Sequence, residues 1–239
     1  MRSLVLFAFL VLIVGCSSDL ENQDVTLSDA LKQDAPVLDN VIACAASNEN
    51  DHMVSVFFYP RDGASNVRYY ETENIKVSKD DFEQYYRIDN PVFDVFNGYL
   101  KKFEVVVTEE KWAIVSFEEG GKIHLSNPIR IKHHTKPTEY TEQSIVVDSA
   151  DTGSPLFHWT DGKYTDSRIY FGVVSDSDDN FISGTYTHER RFQYYDLENV
   201  VVNITKGTPP TLKADNTYSF TLMAVSEDNW VNLFSEIEF

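Results

Sequence analysis

Oxygen-bearing side chains recur at every second position in Asp176-Ser177-Asp178-Asp179-Asn180. Calcium is bound by six to eight hard oxygen ligands, and such spacing lines one side of a turn with them. Asp176, Asp178 and Asn180 are therefore expected either to hold a structural calcium ion or to form a solvated turn between strands. The sixth position is Phe181 and the twelfth Thr187, so the glycine and bidentate glutamate of a twelve-residue calcium loop are missing. No other cofactor is expected. A second group is the basic island Arg130-Ile131-Lys132-His133-His134-Thr135-Lys136. On a regular strand Arg130, Lys132, His134 and Lys136 share one face. Arg130 and Lys132 are expected to meet an anionic sugar or partner there, or else to guard an exposed edge strand with charge. A third group is aromatic, because a flat ring packs on the apolar face of a pyranose. Trp230 follows Asp228 and Asn229 on a turn, so these three, with Tyr164 and Tyr186, are candidate sugar contacts, and Tyr194 and Tyr195 are further aromatics of this kind. Trp112 and Trp159 are read as core.

Catalytic patterns are missing. No Ser or Cys sits in a glycine-flanked elbow, no His-Glu-x-x-His pair occurs, and no glycine-rich phosphate loop is present. His133 and His134 are adjacent, so on a strand they point to opposite faces and cannot chelate together. With 38 Asp and Glu in the chain, acidic pairs are uninformative. The chain is read as a non-enzyme.

The elements that must position these groups are strands. Met53-Val54-Ser55-Val56-Phe57-Phe58-Tyr59 runs into the turn Pro60-Arg61-Asp62-Gly63, and Asn66 to Glu71 follows. Trp112 to Phe117 leads through Glu118-Glu119-Gly120-Gly121 into Lys122 to Leu125, a hairpin on a Gly-Gly turn. Lys79 to Tyr86 is open between loop and short helix. Further along, Leu156 to Trp159, Arg168 to Val174, Val200 to Ile204 and Tyr218 to Val225 are strands. Residues 17 to about 34 are polar and acidic, with a weak helical hint at Leu27 to Leu31, and are read as a flexible tether.

The chain carries 20 Lys and Arg against 38 Asp and Glu, a net charge of −18. That surface repels phosphate backbones, so no nucleic-acid partner is expected. There are only two cysteines, Cys16 and Cys44. Cys44, in Val41-Ile42-Ala43-Cys44-Ala45-Ala46, is read as a small buried hydrophobe.

The N-terminus places these modules. Arg2 precedes an apolar run from Leu4 to Val14, too short to span a bilayer. Ile13-Val14-Gly15-Cys16 resembles the lipobox of bacterial lipoprotein precursors. The resemblance implies a signal peptide over 1–15, cleavage before Cys16, and lipid on Cys16 that anchors the chain to a membrane. Loss of Arg2 leaves 19 − 38 = −19. The acidic Ser17 to Asp24 resembles the surface-export signal of Bacteroidetes lipoproteins, which implies the outer membrane and the cell surface. Asp148-Ser149-Ala150 resembles their O-glycosylation motif, with Ser149 as acceptor.

Leu212-x-x-x-x-Thr217-Tyr218 resembles the fibronectin type III corner, where a Tyr near the start of strand F bonds back to the preceding loop. Val106 and Trp112 have the same separation earlier in the chain. The expected fold is all-β, with a lipidated tether over 16–35 and two tandem fibronectin type III-like β-sandwiches over 36–135 and 136–239. The expected function is non-catalytic binding, of a glycan or as accessory to polysaccharide uptake, with the first sandwich as spacer. The alternative is a protein-interaction or structural subunit of an envelope or adhesion complex.

Overall fold

The computed structural model describes residues 25–31, 35–148, 151 and 153–239. Cys16 and Ser149, the expected lipid and sugar acceptors, lie outside them. No helix among the described residues is long and apolar enough to cross a membrane.

A four-residue helix, α1 (Leu27–Ala30), comes first. The first sandwich then contains β1 (Val37–Val41), β2 (Ala43–Ser47), β3 (Met53–Phe58), β4 (Ser65–Glu71), β5 (Tyr86–Ile88), β6 (Val92–Val95), β7 (Leu100–Val106), β8 (Lys111–Glu119), β9 (Lys122–Ser126) and β10 (Ile129–Ile131). One sheet has the order β1-β9-β8-β4-β5, with β10 also on β8, and the other is β2-β3-β7-β6. Glu119 pairs with Lys122 across Gly120 and Gly121, whose φ values are +59° and +76°. A two-residue turn with both φ positive matches strand twist, and glycine reaches it without a Cβ clash. A 3-10 turn at Phe82–Gln84 fills the stretch left open from sequence.

The second sandwich contains β11 (Glu139–Tyr140), β12 (Ile145–Asp148), β13 (Leu156–Trp159), β14 (Ser167–Asp176), β15 (Phe181–Thr187), β16 (Arg191–Gln193), β17 (Val200–Asn203), β18 (Tyr218–Ser226) and β19 (Val231–Glu238). Its large sheet is β11-β19-β18-β14-β15-β17 and its small one β12-β13-β16. In both sandwiches a short first strand runs parallel to the last hairpin strand, β1 on β9 and β11 on β19. The all-β fold of two fibronectin type III-like sandwiches is the one expected. Lys213 N donates to Tyr218 Oη at 3.1 Å, with Leu212 and Tyr218 buried. That is the corner bond the resemblance implied. The earlier pair forms no such corner. Val106 is 72 % exposed and Val107 is the buried residue. A one-residue offset in a strand sends a side chain to the other face.

Two departures bear on function. Residues 25–31 are folded onto the first sandwich and are not a free tether. Leu27 is fully buried with Tyr70, Tyr85, Ile114 and Leu125, against the outer face of the β8 sheet. The second departure concerns the spacer idea. β2 and β14 are apolar on both faces, so each sheet has a second side to bury. Ala45, Val56 and Phe103 face the first core, and Tyr170, Phe220 and Leu222 the second. The opposite faces present Cys44, Ala46 and Leu100 to Phe171, Val173, Met223 and Val225 in a third apolar cluster. Four sheets therefore stack, and the two sandwiches share an apolar interface.

Candidate functional site

The turn between β18 and β19 was expected to display Trp230. It is closed by Ser226 N to Trp230 O at 2.9 Å and Asn229 N to Ser226 O at 3.0 Å, with Asn229 at φ +60°. This turn inserts into the first sandwich. Ala45 N donates to Asn229 O at 3.0 Å and Arg130 N to Asp228 O at 2.9 Å. Asn229 Nδ2 reaches Pro128 O at 3.2 Å. Trp230 is 0 % exposed within the first core, and its Nε1 donates to Lys136 O at 2.8 Å. An indole with its N–H satisfied in an apolar core is a packing anchor, so Trp230 is corrected from ligand contact to core. Tyr186 is corrected likewise. Its ring stacks on Phe171 at 4.3 Å in the interface, and burial raises its hydroxyl well above the usual tyrosine value.

The plugged turn forms one wall of a cleft of about 630 Å³. Arg130, Lys132, Asp228 and Asn229, all named from sequence, line it together with Lys79, Trp112, Asp166 and Arg168. The cations on the first sandwich are held in place. Arg130 donates to Glu110 Oε2 through Nε at 3.0 Å and Nη2 at 2.6 Å. Lys132 Nζ lies 2.8 and 2.7 Å from the two oxygens of Asp228, which also accepts from Ser226 Oγ at 2.6 Å. Burial works to raise Glu110, but bonds from Thr135 and Arg130 outweigh it and hold the carboxyl below its usual value. Lys136 pairs with Asp166 at 2.5 Å and lowers that carboxyl too. Lys136, itself outside the lining, also lies 4.8 Å from the ring centre of Tyr164, so Tyr164 is not part of the cleft and is linked to its Asp166 through Lys136.

Arg168 differs from these. It is exposed in the cleft, and no hydrogen bond or ion pair reaches its guanidinium among the described residues. Partly buried Trp112 packs against the apolar cluster around Leu27, in keeping with its core assignment, and also lines the same cleft. Sequence reasoning missed Trp112, Arg168, Asp166 and Lys79 as cleft residues because they come from three separate segments. A larger groove of about 820 Å³ is lined by Glu49, Glu142, Glu236 and Glu238 around Tyr140 and Phe234. Its lining contains no cation, so nothing in it complements an anionic group.

The remaining candidates stay apart. Asp176 Oδ1 accepts from Asp178 N, Asn180 N and Asn180 Nδ2 at 3.0, 2.9 and 3.1 Å, and its Oδ2 from Asn180 Nδ2 at 3.0 Å. The carboxylate thus closes its own turn. Asn97 of the first sandwich donates to Asn180 Oδ1 at 2.7 Å and to Asp178 O at 2.9 Å. His133 and His134 lie in a turn beyond β10, and their ring centres are 4.8 Å apart. His133 Nδ1 meets Ser47 Oγ and His134 Nε2 meets Val107 O. Cys44 is buried, and burial pushes its thiol up to about 12, which suits a small hydrophobe.

No protein-family model and no curated protein sequence matches the chain. Among solved structures it is similar to chicken CNTN1 FN1-FN3 domains, at 11 % identity and TM-score 0.30, over 85 % of this chain and 64 % of that one. It therefore spans just under two thirds of that structure. It is also similar to a two-domain fibronectin type III segment of chicken tenascin, at 12 % identity and TM-score 0.30, over 84 % and 96 %.

Proposed function

We propose that the chain is a lipid-anchored, non-catalytic binding protein of the outer membrane surface. It takes a glycan in the cleft between its sandwiches, as an accessory to polysaccharide uptake. The anchor is Cys16, supported by the lipobox. The observation that carries the ligand reading is the cleft itself, which Trp112 and the uncommitted Arg168 both line beside a frame of paired charges. A ring for a pyranose face and a fork for a carboxylate are the parts an acidic sugar uses.

Affinity electrophoresis against neutral and anionic polysaccharides, with and without calcium, tests this. Arg168→Ala should weaken retardation by an anionic polymer about tenfold or more, a loss of ~1.4 kcal/mol. Trp112→Ala should weaken binding of every polymer that the parent binds. No retardation by any polymer, or retardation indifferent to both substitutions, would exclude the cleft as a glycan site.

One observation favours a second reading, a protein-interaction subunit. Edge strand β17 and the residues before it expose Leu197, Val201 and Val202. An uncharged open edge can accept a partner strand. That reading expects co-purification of a defined envelope protein, lost on Val202→Lys.

A further inference from the structure

We infer that the apolar edge formed by Val25, Tyr86, Ile88, Val92 and Phe93 rests on the lipid bilayer that holds the anchor. The inference depends on lipidation of Cys16, and it assigns that reading a second, protein-made membrane contact.

Four of these side chains lie within the eight residues 86–93, and all five are 39–60 % exposed. Tyr86 and Ile88 lie on β5 and Val92 and Phe93 on β6, edge strands of the two sheets, and Val25 lies beside β5. The chain leaves the folded part beside them. Arg87 N donates to Val25 O at 3.0 Å, and Thr26 forms an antiparallel bridge with Tyr86. Burial of Leu27 fixes that exit point. From Val25 back to Cys16 there are nine peptide links, which span at most about 30 Å when fully extended. An anchor at Cys16 therefore holds this edge within about 30 Å of the bilayer.

Charge and residue type agree with that occupant. Two neighbouring pairs are matched, Arg87 with Asp89 at 2.9 Å and Lys101 with Asp94, while exposed Asp81 and Glu83 precede β5, so the apolar edge has a mildly acidic margin that a zwitterionic headgroup layer accommodates. Phe93 and Tyr86 are the residue types that settle at the headgroup boundary, the tyrosine with its hydroxyl in the wet layer. Lipid chains on one cysteine leave the folded part free to tumble. Apolar area set into the interface adds binding and fixes an orientation. In that pose the anchored edge meets the bilayer, and strand β17 belongs to the other sandwich.

The test uses the full chain, produced in bacteria that process lipoproteins and reconstituted in phosphatidylcholine vesicles. Ile88→Cys and Val202→Cys are each labelled with an environment-sensitive fluorophore. The parent is the control for labelling at other thiols, since Cys44 is buried. The expected result is a blue shift and a several-fold emission rise at position 88, quenched by a bilayer nitroxide lipid, with neither change at position 202. Mass spectrometry of Cys16 and vesicle flotation report the anchor separately. A chain that is lipidated and floats, but whose label at 88 stays as water-exposed as at 202, overturns the membrane contact and leaves the anchor intact. Shielding at 88 that appears without vesicles assigns the edge to another protein surface and also overturns the proposal. An unmodified Cys16 with no flotation overturns both.

Discussion

Trp230 is donated by the second sandwich to the core of the first. Truncating a fully buried Trp removes its transfer energy and leaves a void. Trp230→Ala should lower unfolding stability by about 3–5 kcal/mol, read from the denaturation midpoint. A loss under about 1 kcal/mol would be too small for a core position, since replacing even one buried methylene costs about that. Titratable residues set a second expectation. Burial works against the Asp161 carboxylate, but Arg190, through Nε at 3.0 Å and Nη2 at 2.5 Å, and Tyr170 hold it below its usual value. Glu110 and Asp166 are lowered as well. His133 is lowered by burial and then by neighbouring His134. For each of these four the unfolded chain binds protons more readily, so stability falls with pH. His133 contributes fully above its ordinary 6.5, and that part fades as pH drops through its lower folded value. The carboxylates contribute fully above 3.8 to 4.5, and their part is lost as pH falls through their depressed folded values. Asp179, raised by burial, has the opposite sign. Denaturation midpoints should thus decline in two stages below pH 7, and His133→Gln should remove the first. Stability that rises between pH 7 and 5 would contradict the assignment.

At the scale of elements, α1 is too short to be helical alone, because nucleating a turn fixes more backbone than one bond repays. Two devices hold it. Asp29 N donates to Thr26 Oγ1 at 3.1 Å and Thr26 N to Asp29 Oδ2 at 3.2 Å, a reciprocal cap. Leu27 supplies the buried contact. Leu27→Ala should therefore release residues 25–31, seen as faster amide exchange there with the sheets unchanged. Equal acceleration throughout β8 and β4 would mean that α1 is needed for the whole sandwich. Close packing at the interface shows the same dependence on neighbours. At Gly184 a Cβ would stand 2.8 Å from the Phe181 ring, so only glycine lets that ring lie flat over β15.

At the scale of the molecule, the shared interface couples the two sandwiches. Its apolar cluster takes residues from β2 and β7 on one side and β14, β18 and β19 on the other. The turn bearing Trp230 adds backbone bonds across it. Calorimetry should show one cooperative transition. Phe171→Asp, which places a charge in the interface, should split or broaden it. Two well-separated transitions in the parent would mean that the interface contributes little. Residues 136–239 produced alone should aggregate, because their large sheet would then expose an apolar face to water.

Much of the fold was legible from short-range pattern. Period-two apolar runs, the turns at Gly63 and Gly120-Gly121, and the Leu212–Tyr218 corner each depend on residues a few positions apart. Part of the site was legible too. Arg130, Lys132, Asp228 and Asn229 were named from local charge and turn chemistry, and they meet in the cleft. The partners that complete it were hidden, since Trp112 and Arg168 are 56 positions apart and only packing of the sandwiches brings them together. Trp230 misled for a related reason. A turn of polar residues predicts exposure, and the surface that buries it belongs to another part of the chain. The sequence by itself therefore determined strands, turns and charge. Only the tertiary structure decided which apolar faces are covered, because burial depends on what lies opposite, and neither periodicity nor propensity encodes that.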